Sequence, residues 1–149
     1  FESYETMKAQ IQEMLHIEKG GDEQLKDELA AYNPLIPDGK ELVATLMFEI
    51  DNPLSRAEFL NKVGGIEEKV FLKISGEIIN SIPEQDVDRT SAEGKASSVQ
   101  FIHFKFTEDQ VKKFKDFSNE IIIGVDHEMY AHTVKLTENN KKALALDFD

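Results

Sequence analysis

Apolar residues recur every three or four positions near the start of the chain and every second position further on, so helices are predicted first and strands after them. Met7, Ile11, Met14 and Leu15 make one stripe, which predicts a helix from Tyr4 to Glu18. Ser3 suits its N-cap, Glu5 stands in the first turn where the helix dipole favours an acid, and Gly20-Gly21 ends it. Asp22 then caps a second helix in which Leu25 and Leu29 lie one turn apart. Asn33-Pro34 stops that helix, because the residue before a proline is driven out of the α region. Residues 33–37 read as an extended linker, followed by a turn at Asp38-Gly39.

From Glu41 to Ile50 the period changes to two. Leu42, Ala44, Leu46, Phe48 and Ile50 share one face, and the face with Val43, Thr45, Met47 and Glu49 is also partly apolar. That predicts a sheet covered by helices on one side and partly protected on the other. A third helix starts at Asp51-Asn52-Pro53, offers Phe59, Leu60 and Val63 to the core, and closes at Gly64-Gly65. Lys69 to Ile74 and Glu77 to Ile82 flank Ser75-Gly76 as a hairpin. Glu84 to Ser98 is polar and reads as a surface loop; its Asp86 and Asp88 are too few ligands for a calcium loop.

Val99 to Phe106 is a strand with Ile102, Phe104 and Phe106 on one face and Val99, Phe101, His103 and Lys105 on the other. Thr107 and Gln110 make a capping box for a helix that turns Val111, Phe114 and Phe117 inward. Glu120 to Val125 is a strand, Asp126-His127-Glu128 a turn and Met129 to Leu136 a strand; Thr137 caps a last helix carrying Leu144 and Leu146. The short connections favour one α+β domain over residues 1–149, a mostly antiparallel or mixed β-sheet with amphipathic helices packed on it. Phe1-Glu2-Ser3 reads like the end of a strand, so a further strand is expected ahead of Phe1.

Composition narrows the function classes. Twenty-nine acidic residues against 17 basic ones give a net charge of −12, which repels nucleic acid and anionic lipid. No apolar run approaches the roughly 20 residues that cross a bilayer. The chain has no Cys, which excludes thiol nucleophiles, disulfides and a self-held iron–sulfur cluster, and fits a cytoplasmic location.

The segments Gln10–Leu15, Tyr32-Asn-Pro-Leu-Ile-Pro-Asp38, Gly64-Gly-Ile-Glu-Glu68, Lys95-Ala-Ser-Ser-Val99 and Val125-Asp-His-Glu-Met-Tyr-Ala-His132 resemble a bacterial family catalogued as domain of unknown function 3501. The resemblance runs over nearly the whole chain. It implies a basic N-terminal segment and strand ahead of Phe1. It also implies an association with rubrerythrin-like proteins and iron–sulfur oxidoreductases, and so an accessory role in redox or peroxide metabolism beside redox partner proteins. With no Cys in the chain, any cluster would belong to such a partner.

Four histidines carry the remaining chemistry. Asp126, His127 and His132 flank one short turn, and two imidazoles with a carboxylate suit Zn or Fe. Glu13 and His16 have the spacing of half a di-iron motif, but no second helical pair completes it. His103 has a side chain suited to general-base work, without an identifiable nucleophile. Lys95 stands near Ser97 and Ser98, but no nucleophile elbow surrounds them. Asn33, His103 and Lys95 are the candidate ligand or partner contacts. Gly64-Gly65 ends a helix instead of opening one, so it is no phosphate cradle. With no recognisable catalytic set, the expected function is a non-catalytic accessory or interaction protein with no cofactor evident. The alternative is a metal-binding protein or metal-dependent enzyme using Asp126, His127 and His132.

Overall fold

Capping residues and turn glycines place most elements where their periods predict. A computed structural model describes residues 1–84, 90–91 and 94–148. Helix α1 spans Tyr4–Glu18 and is capped by a reciprocal pair: Ser3 Oγ accepts from Thr6 N–H and Thr6 Oγ1 accepts from Ser3 N–H. Then come α2 (Gly21–Tyr32), β1 (Glu41–Met47), α3 (Pro53–Leu60), β2 (Val70–Ile74), β3 (Glu77–Asn80), β4 (Ile82–Pro83), β5 (Val99–Lys105), α4 (Glu108–Lys115), β6 (Ile121–His127), β7 (Tyr130–Lys135) and α5 (Glu138–Leu144). Both turn residues between β2 and β3, Ser75 at φ 49° and Gly76 at φ 88°, have the positive φ that a two-residue hairpin requires.

Several boundaries differ from expectation, each for a local reason. Asn33 keeps helical backbone angles (φ −57°, ψ −37°), and Asn33–Leu35 forms a 3-10 turn instead of an extended linker. Pro34 sits at the start of that turn, where its missing N–H costs nothing, and the turn buries Leu35 against Met7 and Val43. Burial of one leucine thus outweighs the preference of the pre-proline residue. Helix α2 starts at Gly21, not after Asp22. The strand expected from Glu77 to Ile82 breaks at Ser81, whose hydroxyl donates to the Glu67 carbonyl at 2.6 Å, and Ile82–Pro83 crosses to another sheet. Asp126 and His127 stay within β6, so the turn shifts to Glu128-Met129.

The strands form two sheets, with every named pairing antiparallel. One runs β1-β5-β4 and the other β3-β2-β6-β7. Their inner faces share the main core: Leu42, Ala44, Ile102 and Phe104 meet Val70, Leu72, Ile74, Ile79 and Ile121. Phe106, Phe114 and Phe148 close one end with ring centroids 4.8–5.8 Å apart in edge-on contacts. A second cluster of Phe48, Leu60, Val63, Ile66 and Ala96 adjoins it. The α1 helix and Leu35 cover the outer face of the three-stranded sheet through Met7 and Val43. The outer face of the four-stranded sheet is open: Ile78 is 58% exposed, and Lys73, Asn80, Asp126, Ala131, Thr133 and Lys135 all face solvent.

Candidate functional site

The open sheet face is built around a glycine. Register places Phe71 of β2, Gly124 of β6 and Thr133 of β7 side by side across three strands. A Cβ on Gly124 would stand 2.5 Å from the Phe71 ring and 2.8 Å from the Thr133 methyl, so only glycine lets the ring lie across the sheet. Beside that ring lies an open groove of about 550 Å³ whose lining on this face includes Phe71, Ile78, Asn80, Asp126, Ala131 and Thr133. At its far side runs the edge strand β7. Leu136 N–H donates to the Ile121 carbonyl at 2.9 Å, so the alternation of an antiparallel ladder turns Val134, His132 and Tyr130 toward β6. The N–H and C=O groups of Ala131, Thr133 and Lys135 then point outward, and among the described residues no strand pairs with them.

The three residues expected to hold a metal are neighbours in this ladder but lie on two faces. Asp126 opposes Ala131 on the groove side; His127 opposes Tyr130, and His132 opposes Val125, on the other side. Both nitrogens of His127 are engaged: Nδ1 accepts from Met129 N–H at 3.1 Å and Nε2–H donates to the Gly64 carbonyl at 3.2 Å. The ring therefore clasps the β6–β7 turn to the loop after α3. His132 is exposed, with its ring edge-on to Tyr130 at 4.6 Å. Among the described residues no three His, Asp or Glu side chains converge in a way that could hold a metal ion.

Gly64 is tightly placed too. The Gly94 carbonyl oxygen comes within 2.1 Å of where its Cβ would be, and Gly65 has φ 78° and donates its N–H to the Thr90 hydroxyl at 3.0 Å. The Gly-Gly motif is thus a crossing point of two loops. The same corner holds a residue that sequence reasoning missed. Glu67 is buried, one carboxylate oxygen accepts from the Thr90 hydroxyl at 2.8 Å, and the other has no hydrogen-bond partner among the described residues.

His103 is the most enclosed histidine, and its partners come from distant segments. Its Nδ1 lies 3.1 Å from Glu41 Oε2 and its Nε2 2.9 Å from Glu84 Oε2. Both ring nitrogens are thus engaged by carboxylates. The ring pins the residue after β4 onto β1 and β5. Asn33 is exposed and uses its backbone carbonyl to accept from Ile36 N–H. Lys95 is exposed in a turn where its carbonyl accepts from Ser91 N–H at 2.8 Å. The structure does not bring Asn33 or Lys95 into the groove lining. His16 is exposed in the last turn of α1, and Asp86 and Asp88 lie outside the described residues. No helix among the described residues is long and apolar enough to cross a membrane.

Fold and site together define an α+β protein of two antiparallel sheets with one sheet face open beside an unpaired edge. The family model described as protein of unknown function (DUF3501) matches residues 1–148, and the chain belongs to that family. Among solved structures it is similar to a novel protein of unknown function from Burkholderia pseudomallei K96243, known from a crystal structure at 1.90 Å resolution. The two are 36% identical with a TM-score of 0.90, over 100% of this chain and 78% of that one. No curated protein matches the chain.

Proposed function

We propose that the protein is a non-catalytic interaction protein that takes an extended segment of a partner along β7, beside the groove. One observation carries the reading: the outward backbone groups of Ala131, Thr133 and Lys135 border a concave face with exposed apolar side chains. An added strand would satisfy those groups, and the groove would receive every second side chain of the incoming segment. The accessory role in redox or peroxide metabolism comes from the family resemblance and is part of this proposal.

The test is co-purification from a native host with wild-type protein and with Thr133→Pro. Thr133 N–H points away from β6, so proline there removes no ladder hydrogen bond and the variant is expected to fold. A partner retained by the wild type and lost by the folded variant supports the reading. Equal retention by both removes β7 from the interface. Elemental analysis of the same preparations, made without chelator, reads the metal alternative: near-stoichiometric zinc or iron, lowered by His127→Ala, would favour it.

A further inference from the structure

The helical hairpin of α1 and α2 carries apolar surface that the other described residues leave uncovered. Gln24 ties its tip, accepting from Gly20 N–H at 2.7 Å and donating to the Met14 carbonyl at 3.1 Å. Met7 and Ile11 anchor the first half of α1 in the protein, but α2 has no buried residue. Leu25 and Leu29, one turn apart on α2, remain 36% and 37% exposed. Leu15 and Leu25 line a crevice of about 410 Å³ with Lys19, Gly21 and Asp22. Between Tyr4 and Tyr32 the chain has seven carboxylates and three lysines.

Two packed helices leave a groove that a third helix fills, and an apolar floor on a hairpin with more carboxylates than lysines selects the charge of that helix. We propose that the hairpin docks a basic amphipathic helix of another protein. Leucine-type side chains spaced three and four apart would fill the crevice between Leu15 and Leu25. Lysines or arginines beside them would meet Glu18, Asp22 and the other carboxylates of the hairpin. This surface is separate from β7, and the proposal does not depend on the strand-addition reading.

The probe is a labelled synthetic peptide of about five helical turns with an apolar stripe and a Lys/Arg face. It is titrated with the full chain and followed by fluorescence anisotropy and circular dichroism. Binding is expected to induce helix, to weaken about tenfold or more with Leu25→Ser, and to weaken at about 0.5 M salt. A peptide of the same composition scrambled to lose its stripe, and one with Glu in place of Lys and Arg, are expected to bind at least about tenfold more weakly. Where Leu25→Ser disturbs the hairpin, the exposed pair Asp22→Asn with Asp27→Asn gives the same reading through charge. Thr133→Pro is expected to leave peptide binding unchanged. Equal binding of the scrambled peptide, or no loss in the folded variants, would overturn the proposal. So would sedimentation showing a dimer that Leu25→Ser dissolves, since the occupant would then be a second copy.

Discussion

His103 shows what a single residue contributes here. Its ring is the shared hydrogen-bond partner of Glu41 and Glu84, and all three side chains are at most one-fifth exposed. Removing it deletes both of these largely buried hydrogen bonds, so His103→Ala is expected to cost about 2–3 kcal/mol in urea unfolding. His103→Gln, which retains an amide donor, is expected to cost less. Gly124→Ala is expected to cost about 1–3 kcal/mol by forcing the Phe71 ring off the sheet, and Phe71→Ala in the same chain should recover part of that loss. Asp147 has its carboxyl raised above the ordinary value of 3.8 by burial. A raised carboxyl favours the protonated native form, so its penalty is absent below the unfolded value and grows as pH rises. Asp147→Asn is therefore expected to raise the unfolding free energy slightly at pH 7, by less than about 1 kcal/mol given its partial exposure, with no gain well below pH 3.8. The sequence marks His103 as a histidine on a strand face. It does not reveal Glu41, 62 residues away, because that contact exists only once β1 and β5 are in register.

At the scale of elements, short-range chemistry is legible and long-range pairing is not. Ser3 and Thr107 cap their helices as expected, and Asn52 caps α3 by accepting from Leu54 and Ser55 N–H groups. Thr107→Ala should lower stability by about 1 kcal/mol, since Thr107 Oγ1 accepts from Gln110 N–H, an otherwise unpaired donor at the start of α4. The hairpin at Ser75-Gly76 could be read because two residues of positive φ are a local requirement. The break at Ser81 could not, because it depends on the carbonyl of Glu67 reaching that hydroxyl. Asn33 shows the opposite error: the local rule before proline was sound, and the burial of Leu35 outweighed it. A turn at Asp126-His127-Glu128 leaves the faces of these side chains open. With those first two residues kept in β6, alternation sends Asp126 to one face and His127 to the other.

For the molecule as a whole, period-two patterning identified strands but not how many sheets they form. Val43 and Phe101 proved apolar because α1 and Leu35 cover them, whereas Phe71, Ile78 and Ile122 lie on a face without such a cover. Sequence alone treats both faces alike, and only the strand order β3-β2-β6-β7 leaves β7 at an edge with the groove beside it. That edge is also an aggregation risk, since exposed strand edges pair readily with other chains. In use, this edge is expected to be covered by a partner strand.

Amide hydrogen exchange along β7 tests this most directly, first on the free protein and then with the partner retained in co-purification. Ala131, Thr133 and Lys135 are expected to exchange rapidly in the free chain while His132 and Val134 are protected, and to become protected once the partner is bound. Protection of all five residues in the free chain, or rapid exchange at those three in the complex, would contradict the account.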